Sequence, residues 1–242
     1  MGNCTCEKIE KGRYNYENGD YFLGLLKNNL PFGKGVLYYK NGDIQYEGEF
    51  VKGKKQGLGK YYFDDNTWYV MENNKEFLFG KGDYYFGQFF NDDMHGKGII
   101  YLNNRIKYDG DFVNNKFNGF GKYYFENGDY YIGEVKDDMQ HGKGKLYDKN
   151  GNIRVEGNFV NEHLNGIGKI YLENCYYISQ FVNDKMVGKG ELYSNNGTFL
   201  GEYYFINGKM VNAAKKENNF YNNIFQYFDD RYHGFSLGKI NN

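Results

Sequence analysis

The chain repeats itself, and the period of the repeat limits what it can fold into more than any other feature. The phrase NDDMHGKG at 91–98 returns as DDMQHGKG at 137–144. Both copies carry a pair of glycines one residue apart, and the pair recurs along most of the chain: Gly33/Gly35, Gly57/Gly59, Gly80/Gly82, Gly96/Gly98, Gly119/Gly121, Gly142/Gly144, Gly166/Gly168 and Gly188/Gly190. Nine residues before the first member of most pairs lies a lead glycine: Gly24, Gly48, Gly87, Gly110, Gly133 or Gly157. Met71 and Ser179 hold that slot in the two exceptions, and Gly201 continues the series. The period is about 23 residues, with one shortened unit, a spacing that marks a repeat architecture.

Each period reads as a β-hairpin. Aromatic residues flank the lead glycine at every second position, as in Tyr46-Glu47-Gly48-Glu49-Phe50, and that alternation belongs to a strand. An aromatic segment such as Lys122-Tyr123-Tyr124-Phe125 follows each glycine pair and forms the second strand. Polar loops such as 52–56 join the two strands, and Asn-Gly turns such as Asn41-Gly42-Asp43 and Asn127-Gly128-Asp129 join successive units. All connections are short, so neighbouring strands pair into one antiparallel meander. Glycine weakens a strand unless something lies over its bare backbone. Tyr and Phe rings laid over glycines would let a single sheet bury surface without a second layer. The expected fold is all-β: an elongated single-layer antiparallel sheet of stacked β-hairpin repeats.

Composition agrees and excludes several classes. The 27 Tyr, 21 Phe and 34 Gly in 242 residues are too aromatic for a disordered chain. A formal net charge of −1 excludes a basic nucleic-acid surface. The three cysteines do not make a disulfide framework. His95, His141 and His233 share one repeat slot before a glycine and fall on different hairpins, so they read as loop residues rather than as a catalytic or metal set. No catalytic residue, cofactor or metal site is expected, and the chain does not read as an enzyme.

The unit resembles the MORN repeat. Tyr131-Ile132-Gly133-Glu134-Val135 followed by His141-Gly142-Lys143-Gly144 matches the Tyr-x-Gly-x-(Phe/Trp)…His-Gly-x-Gly pattern of that family. The resemblance covers roughly 14–204. The chain departs from the pattern where Asn114 and Asp137 replace a middle glycine, at Met71 and Ser179, and in the compressed third unit. The resemblance implies a scaffold or adaptor at a membrane or the cytoskeleton, with homodimers known in the family.

Three regions follow. Residues 1–11 form an acylation segment: Gly2 suits N-myristoylation after methionine removal, and Cys4 and Cys6 suit palmitoylation. Two lipid signals together give stable anchoring. Residues 12–209 form an array of about eight hairpins, with 69–84 as the compressed unit. Residues 210–242 are expected as a degenerate final repeat or a helical cap. The expected function is a non-enzymatic scaffold held by lipid at the cytosolic face of a membrane, binding protein partners through an aromatic sheet surface. An amphipathic helix is the expected partner segment. The tyrosines after the glycine pairs, Tyr38, Tyr62, Tyr101, Tyr124, Tyr147, Tyr171 and Tyr193, are the candidate partner surface. The alternative is direct binding of phosphoinositide headgroups by a row of lysines inside the glycine pairs, Lys34, Lys97, Lys143 and Lys189, which Glu49, Asp111, Glu134 and Glu202 are placed to answer.

Overall fold

The structure is a computed structural model that describes residues 8–64, 67–70 and 76–211. Among them are nineteen strands and no helix, and seventeen strands belong to one antiparallel sheet. The chain divides into two compact units at Asn118/Gly119.

The first unit holds β1 (Ile9–Asn15), β2 (Tyr21–Lys27), β3 (Leu30–Tyr38), β4 (Ile44–Val51), β5 (Lys54–Tyr62), β6 (Thr67–Val70), β7 (Glu76–Phe79), β8 (Tyr84–Phe90), β9 (Asp93–Leu102) and β10 (Arg105–Val113). The boundary falls within β11 (Lys116–Tyr124). The second unit continues with β12 (Tyr130–Lys136), β13 (Met139–Tyr147), β14 (Ile153–Val160), β15 (His163–Tyr171), β16 (Cys175–Val182), β17 (Lys185–Ser194), β18 (Phe199–Ile206) and β19 (Lys209–Met210).

Within each unit the glycines face one another from strand to strand. In the first, Gly12 opposes Gly24, Gly24 opposes Gly35, Gly35 opposes Gly48 and Gly48 opposes Gly59. In the second, Gly121, Gly133, Gly144, Gly157 and Gly168 form the same line. Rings cover it: Tyr46 lies over Gly48 and Gly59, Tyr85 over Gly87 and Gly98, and Tyr131 over Gly133 and Gly144. The covering ring comes from two residues earlier on the same strand. Each ring also meets the phenylalanine of the next hairpin edge-on, Tyr46 with Phe89 at 4.9 Å and Tyr85 with Phe112 at 4.9 Å. Among the described residues the largest fully buried side chains are all Tyr or Phe. One face of the sheet is therefore an aromatic core, each ring pair adding about 0.5–1.5 kcal/mol beyond its buried area.

Both ends of the hairpins are stitched to their neighbours. The two-residue turns at one end use left-handed backbone at both positions, as at Asn91-Asp92 (φ 51° and 80°), Asn114-Asn115 (50° and 68°) and Asn183-Asp184 (47° and 68°). That geometry matches strand twist and favours Asn, Asp and Gly, and it gives the chain's many asparagines a structural reason. At the other end Asp20, Asp83 and Asp129 accept from the backbone N–H of Lys40, Asn103 and Lys149 in the next turn, at 3.0, 2.7 and 2.9 Å.

Two assignments of the repeat differ from the sequence reading. The segment expected as a compressed unit, 69–84, is not a rung of the main sheet. β6 and β7 form a separate two-stranded sheet, and β5 pairs directly with β8, Gly59 opposite Gly87. Gly80 and Gly82 bound a turn in which the Asp83 N–H donates to the Gly80 carbonyl at 3.1 Å. Phe79 stacks on Phe63 at 3.6 Å, which ties the extra hairpin down. The last lead slot is likewise Tyr203, not Gly201: Tyr203 faces Gly190, and Phe205 takes over the cover of that glycine. The acylation residues Gly2, Cys4 and Cys6 and the tail beyond Val211 lie outside the described residues.

Candidate docking face

Strand alternation sends every second side chain to the face opposite the aromatic core. There the predicted tyrosines are half-buried and form stacked groups with tyrosines that the sequence reading missed. Tyr38 stacks on Tyr21 at 4.9 Å, Tyr101 on Tyr84 at 4.5 Å, Tyr147 on Tyr130 at 4.8 Å and Tyr193 on Tyr176 at 5.5 Å. Tyr62, Tyr124 and Tyr171 sit beside Tyr84, Tyr130 and Tyr176 at 6.1, 5.9 and 5.7 Å. Cations lie on these rings: Lys60 Nζ is 3.8 Å from the Tyr84 centroid and Lys122 Nζ is 4.0 Å from Tyr130. The tyrosine row is thus partly occupied by its own stacking and by lysine. The partner rings Tyr21, Tyr84 and Tyr130 each stand directly after an x-Gly-Asp turn, a signal present in the sequence.

Two further rows run beside the tyrosines, and both alternate from one hairpin to the next. One residue before the lead slot stand Leu23, Glu47, Phe86 and Asp109 in the first unit, and Ile132, Glu156, Ile178 and Glu202 in the second. Between the paired glycines stand Lys34, Leu58 and Lys97, then Phe120, Lys143, Ile167 and Lys189. The lysine row singled out from sequence is therefore every second member of a row whose other members are apolar. Those apolar members are as open to solvent as the lysines: Leu58 is 53% exposed, Phe120 54% and Ile167 66%.

The charged members are largely answered on the same face. Lys97 pairs with Asp111 at 2.7 Å, and Lys189 with Glu202 at 2.7 Å and Glu191 at 3.2 Å. Lys34 faces Glu49 in the strand register, and the Lys143 backbone N–H donates to Glu134 at 3.0 Å. Glu156 takes Lys145 at 3.0 Å and Lys169 at 3.5 Å. Burial works to raise the Glu156 carboxyl, but hydrogen bonds from Lys145 and Tyr171 outweigh it and hold the group below its ordinary range. Burial and that same hydrogen bond push Tyr171 up to about 12.

The second unit folds these rows into a groove of about 590 Å³, lined by Phe120, Ile132, Tyr147, Ile167 and Ile178 together with Lys143, Lys145, Glu156 and Lys169. A similar groove of about 570 Å³ lies in the first unit between Val36, Leu58 and Phe86, with Lys34, Glu47 and Lys60. The histidines do not converge. His163 Nδ1 contacts the Asp184 carboxylate, and His95 packs near Phe90. Among the described residues no group of three His, Cys, Asp or Glu could hold a metal ion. Cys175 is buried, and burial pushes its thiol up.

Comparison with known proteins agrees with this geometry. The MORN repeat pattern matches residues 22–44, 46–68, 85–105, 108–130, 131–153 and 177–199, and no match covers 69–84. The chain is 35% identical over 81 residues to MORN repeat-containing protein 3 of Xenopus laevis, covering 34% of this chain and 30% of that protein. It is 32% identical over 112 residues to human alsin, covering 44% of this chain and 6% of alsin. It is 36% identical over 73 residues to the inactive protein tyrosine kinase pTKL of Plasmodium berghei, covering 30% of this chain and 5% of that protein. The chain thus spans less than a third of the length of each of these relatives. With one aromatic-over-glycine hairpin matched six times and more than half of the chain covered, the chain belongs to the MORN repeat family.

Proposed function

We propose that the protein is a non-enzymatic scaffold, anchored at the cytosolic face of a membrane by acyl groups on Gly2, Cys4 and Cys6, that recruits protein partners to the open face of its sheet. One observation carries the recruiting role. One face buries its rings completely, while the other presents Leu58, Phe86, Phe120 and Ile167 at 43–66% exposure. Exposed apolar side chains gathered along one face mark an interaction surface. The anchor rests on the MGNCTC start, where one acyl chain alone binds only marginally and two bind stably.

Fractionation of full-length tagged protein tests the anchor: wild type pellets with membranes, Gly2→Ala moves to the soluble fraction, and equal recovery of both removes the anchor. Cross-linking in cells tests the face. Phe120→Lys with Ile167→Lys loses the partners that wild type captures, and unchanged capture removes the open face as their site.

A further inference from the structure

We infer that the groove of the second unit takes an extended peptide with two apolar anchors six residues apart and an acidic residue between them. This deepens the scaffold reading above and rests on it. The apolar members of the open face come as diagonal neighbours at hairpin junctions. Phe120 on β11 sits beside Ile132 on β12, since Phe120 opposes Glu134 and Ile132 opposes Lys122. Ile167 on β15 sits beside Ile178 on β16 in the same way. The two apolar spots are four strands apart through β12, β13 and β14, which is about 19 Å at the usual spacing of paired strands.

That distance discriminates between backbones. Six residues of extended chain span about 20 Å and return the side chain to the same side. Six residues of polyproline II span about 19 Å, two full turns, and again return in phase. An α-helix meets that distance less well: eleven residues return nearly in phase but reach only about 16.5 Å, and fourteen reach about 21 Å but end roughly 40° around the axis. A helix also carries a continuous apolar stripe, and here the ground between the spots is charged. Lys143, Lys145 and Lys169 stand there with Glu156, which takes Lys145 and Lys169, and with Glu134 at the Lys143 backbone, so one cation is in excess. Charge complementarity places a carboxylate at the centre of the peptide, between anchors that fill the Phe120/Ile132 and Ile167/Ile178 spots.

Fluorescence anisotropy on the full-length protein tests this with three labelled peptides. The first has Leu at positions 1 and 7 and Glu at 4 in a Ser/Pro background. The second moves the leucines to 1 and 4. The third is an amphipathic helix with leucines at helical spacing and no acidic centre. The first binds at least tenfold more tightly than the other two. Phe120→Lys or Ile167→Lys weakens it at least tenfold, and Ile167→Leu restores it. Lys143→Glu weakens it several-fold but spares the version with Gln at position 4. Circular dichroism confirms that the variants remain folded, as expected for side chains this exposed. Tighter, Ile167-dependent binding of the helix overturns the extended geometry and leaves the open face as a docking surface. Binding of no peptide, or binding indifferent to Phe120 and Ile167, overturns the inference outright. The cellular cross-linking then decides separately whether the face recruits partners.

Discussion

The hydroxyl of Tyr131 donates to the backbone carbonyl of Glu134 at 2.8 Å, and this bond holds the ring flat over Gly133 and Gly144. Strand register slips between Gly133 and Val135, so the Glu134 carbonyl falls at the slip, where the ladder is interrupted. Tyr85 does the same to Gln88 at 2.8 Å and Tyr108 to Asp111 at 3.1 Å. One residue type thus covers two glycines with its ring and satisfies the backbone beside them with its hydroxyl.

Tyr131→Phe keeps the ring and removes the donor, so its cost isolates the hydrogen bond. The expected loss is about 1–2 kcal/mol, because the carbonyl is left unmet beside a buried ring. Urea unfolding of wild type and variant side by side measures it.

Gly144→Ala places a methyl where the Tyr131 ring already lies. The expected loss is about 1–3 kcal/mol from overpacking. Combining it with Tyr131→Val, the residue type that Val155 supplies in the same slot, costs less than the sum of the single changes, since the two residues share one space. Gly80→Ala is the control: its Cβ meets nothing closer than Asp83 at 4.0 Å, and stability stays within about 0.5 kcal/mol.

Asn161 holds φ at 48° in a two-residue turn. Asn161→Val forces a branched side chain into left-handed backbone and costs about 1–2 kcal/mol, while Asn161→Gly is nearly neutral. Thermal unfolding of the two variants separates backbone strain from the loss of a polar side chain.

Asp148 is only 6% exposed. Burial works to raise its carboxyl, but hydrogen bonds from Asn152 and Asn150 and the Arg154 guanidinium outweigh it and hold the group below the usual carboxylate range. A depressed folded value stabilises the protein above the unfolded value of about 3.9, and that contribution is lost as pH falls through the folded value. Stability measured from pH 6 down to pH 2 therefore falls less steeply for Asp148→Asn than for wild type, from a lower starting point.

The lysine row gives the last prediction. Lys97 and Lys189 are already ion-paired on an exposed face. Lys97→Ala costs less than about 1 kcal/mol. Unacylated protein sedimented with phosphoinositide liposomes at low salt therefore stays in the supernatant. Salt-sensitive pelleting that is lost in Lys34→Ala with Lys143→Ala favours the headgroup reading instead.

The period, the hairpin unit, the antiparallel pairing and the aromatic-over-glycine core could all be read from the sequence, because each rests on local spacing that repeats and so reinforces itself. The tyrosine and lysine rows were legible for the same reason. Tertiary structure decided what depends on register across strands. Only the facing of Gly59 with Gly87 shows the segment around Phe79 to be an extra hairpin outside the main sheet, and only the facing of Tyr203 with Gly190 moves the last lead slot off Gly201. The groove belongs with these. Phe120 and Ile132, or Ile167 and Ile178, hold regular slots of the repeat, but nothing in their spacing along the chain says that they touch. They become one surface because antiparallel pairing sets the second strand of one hairpin beside the first strand of the next, and the chain order holds no record of which side chains that contact brings together.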